Sequence, residues 1–179
     1  VSGVADSGSK AGSGLKIQNA GLGTVTAGIT GNQIRGYNNF GIELLTGGGA
    51  SAMSGAMNVT TTGNTIKQPG TGGLPMNGIH LNGGTVPGDT YQICASIGGA
   101  GALANDITGS GANAGTDFRL RQRQATTVRL PGYGGANNND AAVVAFVQGS
   151  NGGGGTTGLA SNTVPTGGGF VGGAACPTP

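Results

Sequence analysis

Charged and aromatic side chains are scarce in this chain of 179 residues. Asp, Glu, Lys and Arg make up 8% of it, aromatic residues make up 4%, and Trp is absent. The net charge of +2 indicates no particular class of partner. No apolar run reaches about 18 residues, so the sequence predicts no transmembrane segment. With so few large apolar side chains, we expect a narrow core of small and β-branched residues.

Glycine is abundant instead, and it occurs within a repeat. It supplies 42 of the residues, without the period of three that a collagen helix requires. A glycine followed by an apolar–polar–apolar triplet begins at Gly14, Gly41 and Gly78, with a degenerate copy at Asp117. These starts are 27, 37 and 39 residues apart, and repeats of about 20 to 50 residues are typical of solenoids. We expect each triplet to be a short strand, entered through a sharp corner that the left-handed region open to glycine allows.

A second pattern, Gly-Asn-x-Ile, alternates with the first along the chain. It occurs at residues 31–34 and 63–66, and more loosely at 104–107. Asn tolerates left-handed backbone and bonds its neighbours, so it suits a corner between strands. The two patterns together predict coils of short strands joined by Gly and Asn corners.

The repeat predicts an all-β fold, a short right-handed parallel β-helix (β-solenoid), with a C-terminal cap that contains one short α-helix. Residues 1–130 would form the coils, preceded by a polar N-terminal arm at residues 1–12. Residues 131–179 would form the capping segment. Within that segment we expect a helix at about 140–148, capped by Asn139 or Asp140, then a Gly-rich loop and a final strand at 159–164.

The same patterns predict which side chains form the core. The first and third residues of each triplet face one side of a strand, and the polar residue between them faces the other. The predicted inward ladder is Leu15, Ile17, Ile34, Ile42, Leu44, Ile66, Ile79, Leu81, Ile93, Ile107, Phe118 and Leu120.

The two cysteines, Cys94 and Cys176, lie far apart in the sequence. They are either two buried thiols or one disulfide that ties the tail to the solenoid. A sparsely charged surface rich in Gly, Asn and Thr, and a start without Met that indicates a processed or excised segment, favour an oxidising compartment. The sequence therefore favours the disulfide.

Half of the basic residues lie close together, at Arg119, Arg121, Arg123 and Arg129. Alternation places Asp117 and the first three arginines on one side of a strand, opposite its apolar residues. They form either a solvated edge that discourages strand-to-strand aggregation, or a contact for anions. Those anions would belong to a surface polysaccharide, a nucleic acid or the carboxylates of a neighbouring subunit. Without interleaved aromatic residues, we expect no specific nucleic-acid binding.

Residues that commonly carry out chemistry are few. The carboxylates are scattered over six positions: Asp6, Glu43, Asp89, Asp106, Asp117 and Asp140. Cleavage of an acidic polysaccharide needs clustered carboxylates, or a calcium site with a base beside it. Glu43 and His80 occupy equivalent outward positions in successive coils. His80 is the single histidine, so the chain has too few ligands for a zinc site. We therefore expect no catalytic site, no metal and no cofactor.

Three stretches near the C-terminus resemble a known family. RQRQATTVRLPGYGG is followed by NNNDAAVVAFVQG, and the chain closes with GGGFVGGAAC. They resemble the C-terminal region of large bacterial β-strand-repeat surface proteins, which are adhesin-like and autotransporter-like exported proteins with a right-handed parallel β-helix. The resemblance covers roughly residues 60–179. It implies an exported structural or adhesive module, with no catalytic residues to carry over.

We accordingly expect an extracellular, cell-surface structural protein. No lid precedes Leu15 to match the predicted C-terminal cap, so something must cover the first coil. A second copy stacked head to tail would give a surface fibre, whereas further coils of a longer parent chain would serve the same purpose. An adhesin that contacts surface glycans is the alternative function, and a polysaccharide-active β-helix enzyme is the least favoured.

Overall fold

The structure is a computed structural model, in which residues 12–153, 155–162 and 168–179 are described. Most of the expected arm at 1–12 and the end of the expected strand at 159–164 lie outside the described residues. The rest of the chain follows the repeat.

Two parallel sheets and one narrow strip of strand form the body of the molecule. Sheet A contains, in spatial order, β1 (Leu15–Asn19), β4 (Phe40–Thr46), β7 (Asn77–Gly83), β9 (Phe118–Gln122) and β11 (Gly158–Asn162). Sheet B contains β2 (Thr24–Thr30), β5 (Ala56–Thr62), β8 (Gln92–Ile97), β10 (Thr127–Arg129) and β12 (Gly169–Val171). The strip pairs β3 (Gln33–Ile34) with β6 (Thr65–Ile66). Because the chain visits sheet A and then sheet B once per turn, the fold is a β-solenoid of about 4 turns, and this expectation is confirmed.

The triplets stack in register from turn to turn. Ile42 of β4 lies between Leu15 of β1 and Ile79 of β7, and the third positions stack in the same way. The structure buries the following members of the expected ladder: Ile34, Ile42, Leu44, Ile66, Ile79, Leu81, Ile93, Ile107, Phe118 and Leu120. Leu15 and Ile17, in the first turn, pack against this core but are only partly buried.

Glycine is required before each triplet for a different reason from the one that the sequence predicted. Gly14, Gly41 and Gly78 do not adopt positive φ. A Cβ on Gly14 would lie 2.6 Å from Cγ2 of Ile34 and 2.9 Å from the carbonyl oxygen of Gly41. These glycines are therefore required by the close approach of the corner side chain and the next turn. The left-handed corner is at Gly31 instead, with φ of +67° and no atom near a Cβ.

Aromatic residues contribute more to the core than their number indicates. Tyr37, Tyr91, Phe118 and Phe170 are among the largest fully buried side chains. The hydroxyl of Tyr37 donates a hydrogen bond to the carbonyl oxygen of Ser110, 2.5 Å away. The few rings thus lie inside the narrow body together with the aliphatic ladder.

The C-terminal segment adds both a helix and further strands. The helix α1 (Asp140–Gly149) begins where Asn139 Oδ1 accepts a hydrogen bond from the Ala142 N–H at 3.0 Å. Val143 and Val147 of α1 are buried in the main core. The chain then returns to sheet A as β11 and to sheet B as β12, so the described part of residues 131–179 extends the solenoid and also contains a short α-helix.

Candidate functional site

A ladder of four asparagines runs along one corner of the solenoid. The Asn32 N–H and Nδ2 both donate to Asn64 Oδ1, each at 3.0 Å. The same pair of bonds joins Asn64 to Asn105, at 3.1 and 2.9 Å, and Asn105 to Asn151, at 3.1 and 2.8 Å. The first three rungs are the asparagines of the Gly-Asn-x-Ile pattern. Asn151 follows α1 and lacks that pattern, so the sequence did not identify it.

The ladder is directional and ends at the helix. Asn32, Asn64 and Asn105 each donate to Oδ1 of the next asparagine toward the C-terminal end. Asn151, the last rung, donates from Nδ2 to the carbonyl oxygens of Val147 in α1 (2.8 Å) and Ile97 (3.1 Å). Both Nδ2 hydrogens of Asn151 therefore bond within the chain, and the ladder ends at this residue.

The outer face of sheet A carries the residues that the sequence placed there. Its central row, in register across the strands, is Lys16, Glu43, His80, Arg119 and Leu159. Glu43 and His80 are thus neighbours on adjacent strands, as their equivalent positions in the repeat predicted. The carboxylate of Glu43 accepts a hydrogen bond from Ser13 Oγ at 2.8 Å and lies 3.7 Å from Lys16 Nζ.

The adjoining row brings Asn82 beside Arg121. These two residues are paired in register on β7 and β9, two positions along from His80 and Arg119. Arg123 follows β9 in the same alternation, and its N–H donates to the carbonyl oxygen of Gly83 at 2.9 Å. Three of the four arginines therefore share this side of the molecule.

His80 is buried although it stands on an outer face. It is 5% exposed, and the ring of Phe40 lies against it with the ring centres 4.0 Å apart. Neither ring nitrogen has a hydrogen-bond partner. Burial, and then the positive charges of Arg119 and its neighbours Arg121 and Arg123, lower the pKa of His80 from 6.5 to about 3. The imidazole is therefore neutral at physiological pH.

Arg129 lies on a different face from the other arginines. It belongs to β10 in sheet B, where it is in register with Cys94 and its Nε donates to Cys94 Sγ at 3.2 Å. Cys94 is bonded to Cys176, which confirms the expected disulfide and holds the C-terminal tail against sheet B.

Two buried aspartates, Asp117 and Asp89, organise loops. Asp117 is buried and accepts hydrogen bonds from the N–H groups of Ser110 (2.7 Å) and Thr157 (2.7 Å). The expectation that Asp117 shares the outer face with the arginines is therefore wrong, because the chain turns at Asp117 before β9 begins. Asp89, also buried, accepts from the N–H groups of Met53 and Val86.

The parts of the chain that the structure describes hold neither a metal-ligand cluster nor a membrane-spanning helix. They contain no group of three or more His, Cys, Asp or Glu side chains that could hold a metal ion. Within the same residues, no helix has the length and apolar character needed to cross a membrane.

No family model, no curated protein and no solved structure matches this chain. What the molecule does must therefore be inferred from its own fold and surfaces. Two features distinguish the described residues: a first turn in which Leu15 and Ile17 are only partly buried, and the row of His80 and arginines on sheet A.

Proposed function

We propose that this chain is an exported structural protein whose copies stack end to end into a fibre on the cell surface. The first turn of the solenoid carries the proposal. Leu15 and Ile17 are partly buried, whereas Ile42 and Leu44, which hold the same positions one turn later, are 0% and 1% exposed. A further layer of strands over β1 would complete the burial of the first turn.

In the described residues, the strand at each end of sheet A has one edge without a partner strand. Among the described residues, β1 pairs only with β4, and β11 pairs only with β9. Leu159 of β11 is 51% exposed, which leaves apolar surface at that end as well. Pairing of β11 in one copy with β1 in the next would continue sheet A across the junction, and a head-to-tail contact that does not close gives a filament.

At the end of sheet B a loop lies against the last strand, and this restricts where two copies of the chain can meet. The Phe170 N–H of β12 donates to the carbonyl oxygen of Asn137 at 3.0 Å, so the loop before α1 occupies that edge. The asparagine ladder also ends within the chain, at Asn151. The proposed junction is accordingly a continuation of sheet A, with α1 and its preceding loop beside it.

The disulfide supports the placement outside the cell. A bridge between Cys94 and Cys176 persists in oxidising compartments and is rare in the cytosol. A sparsely charged surface that is rich in glycine, asparagine and threonine fits the same location.

The proposal is tested by the state of the protein in solution and by two variants of β1. We expect light scattering and electron microscopy to show concentration-dependent filaments of the wild-type chain. Ile17→Lys should prevent them while the fold remains intact, because a lysine at this partly exposed position can extend its charge into solvent but not into a covered interface. Gln18→Lys adds the same charge on the opposite face of β1 and should leave assembly unchanged.

A stable monomer of the wild-type chain at high concentration would overturn end-to-end stacking. The first turn would then be covered by further coils of a longer parent chain. Loss of assembly in both lysine variants would show instead that added charge alone prevents association, and would remove the support for a β1 junction.

A further inference from the structure

Three arginines cluster beside His80, and no carboxylate of the described residues forms an ion pair with them. Arg119 and Arg121 project from the outer face of β9, and Arg123 follows in the same alternation. The described residues contain two ion pairs between side chains, Lys16 with Glu43 and Lys67 with Asp106, and neither involves these arginines. Burial and the charges of Arg123 and Arg119 lower the pKa of Arg121. The three guanidinium groups therefore repel one another, and an anion between them would relieve that repulsion.

The nearest carboxylate in the row is already engaged. Glu43 lies on the far side of His80 from Arg119, where it accepts from Ser13 and approaches Lys16. It therefore does not neutralise the arginines. The charges that face His80 from adjacent strands are Glu43 on β4 and the arginines of β9.

His80 supplies a second, independent indication of a ligand. Its side chain is almost fully buried next to Arg119, and both ring nitrogens lack a hydrogen-bond partner. The buried Oδ1 of Asn82, beside Arg121, also lacks one. A buried polar group without a hydrogen-bond partner is destabilising, so native structures rarely leave several of them together. Here they lie in register with two of the arginines that have no ion pair within the described residues, His80 with Arg119 and Asn82 with Arg121.

We propose that this surface, the His–Arg patch (His80, Asn82, Arg119, Arg121 and Arg123), binds the anionic groups of an acidic polysaccharide. Guanidinium groups bind sulfate and carboxylate through paired, charge-assisted hydrogen bonds, and an imidazole N–H adds one donor. Polar neighbours extend the patch: Ser161 is in register with Arg121 on the next strand and can bond sugar hydroxyls. The patch is on the side of the solenoid, so the proposal does not depend on end-to-end stacking.

A nucleic acid fits the same patch less well. Single-stranded nucleic acids are bound on aromatic side chains interleaved with positive charge. Phe40, the aromatic ring that the described residues place beside the patch, is packed against His80. The net charge of +2 is also small for a protein that follows a phosphate backbone.

Because His80 is the only histidine, its ring nitrogens give an unambiguous signal in ¹⁵N NMR of histidine-labelled protein. The ligands are a sulfated dextran oligosaccharide and an oligogalacturonate, with neutral dextran of equal length and sodium sulfate as comparisons. We expect both acidic oligosaccharides, but not neutral dextran, to shift the His80 resonances. Arg119→Gln and Arg121→Gln should each weaken binding by about tenfold in calorimetry.

Lys67→Gln is the matched control, since it removes one positive charge from a different face, where Lys67 pairs with Asp106. We expect it to change the affinity by less than about twofold. Two-dimensional NMR spectra of all three variants verify that the fold is retained.

Several results would overturn the proposal. One is the absence of a His80 shift with either acidic oligosaccharide. Another is a shift with sodium sulfate alone, which would identify a site for a small inorganic anion. An equal loss of affinity in Lys67→Gln would indicate non-specific charge attraction. Tighter binding of a single-stranded oligonucleotide than of the oligosaccharides would assign the patch to nucleic acid.

Discussion

Asn151 Oδ1 accepts hydrogen bonds from both the backbone N–H and the Nδ2 of Asn105, although the two residues are 46 positions apart. The helix α1 lies between them in the chain. The helix is thus inserted between β10 and Asn151, and the chain still supplies the next rung of the asparagine ladder. The continuity of this corner is kept by side-chain amides where the backbone pattern changes.

The interior of the ladder should contribute strongly to stability. In Asn64→Ala, the N–H of Asn32 and the carbonyl oxygen of Ile29 lose their partners inside the corner. We expect the free energy of unfolding to fall by about 3 kcal/mol in urea denaturation. Asn58→Ala, the same change on the outer face of β5, is the control and should cost less than about 0.5 kcal/mol. Equal losses in the two variants would show that the ladder has no special role.

A glycine packed closely against its neighbours and a glycine with positive φ should respond differently to substitution. A Cβ on Gly41 would overlap Ile66 Cγ2 and lie 2.6 Å from the carbonyl oxygen of Gly78. Gly41→Ala should therefore cost about 3 kcal/mol or more, measured by thermal and urea unfolding. Gly31 has φ of +67° and open space around it, so Gly31→Asn should cost at most about 1 kcal/mol. The opposite order of the two losses would contradict this steric account.

The disulfide should stabilise the tail and the last turns. It closes a loop across a sequence separation of 82, which corresponds to about 4.5 kcal/mol in the chain-entropy model. We expect dithiothreitol to lower the denaturation midpoint of the wild-type chain and to have no effect on the double variant Cys94→Ser with Cys176→Ser. Non-reducing mass spectrometry of freshly isolated protein should detect no free thiol, and two free thiols would refute the bridge.

Acid should destabilise the fold through His80. Its pKa is 6.5 in the unfolded reference and about 3 in the folded chain, so between these values the unfolded state binds a proton that the folded state does not. The resulting stability is fully present above about pH 6.5 and is lost as the pH falls toward 3, by as much as about 4 kcal/mol.

Replacement of His80 by a residue that does not titrate isolates this contribution. The stability of His80→Gln should depend less on pH between 7 and 3.5 than that of the wild-type chain, in denaturation curves recorded at each pH. Parallel pH profiles for the two proteins would show that His80 titrates alike in the folded and unfolded states.

The sequence predicted the solenoid because strand alternation and corner chemistry are local. Ile42 and Leu44 are two positions apart and therefore face the same side of a strand, and the same spacing at Ile79 and Leu81 predicted a stack of equivalent turns. The outward pairing of Glu43 with His80 followed from the same register. The disulfide was favoured by composition, although two buried thiols were an alternative.

Only the tertiary structure decided the features that depend on distant residues. Gly14 and Gly41 are explained by the Cβ that each would place against Ile34 or Ile66, side chains that arrive from elsewhere in the coil. Asn151 joins the ladder because α1 ends at the height of the missing rung. Arg129 was separated from Arg121 because the chain passes from sheet A to sheet B between them, a turn that linear spacing does not reveal. The burial of His80 likewise required Phe40 to pack across the strands, since local sequence fixes which face a side chain occupies but not what comes to cover it.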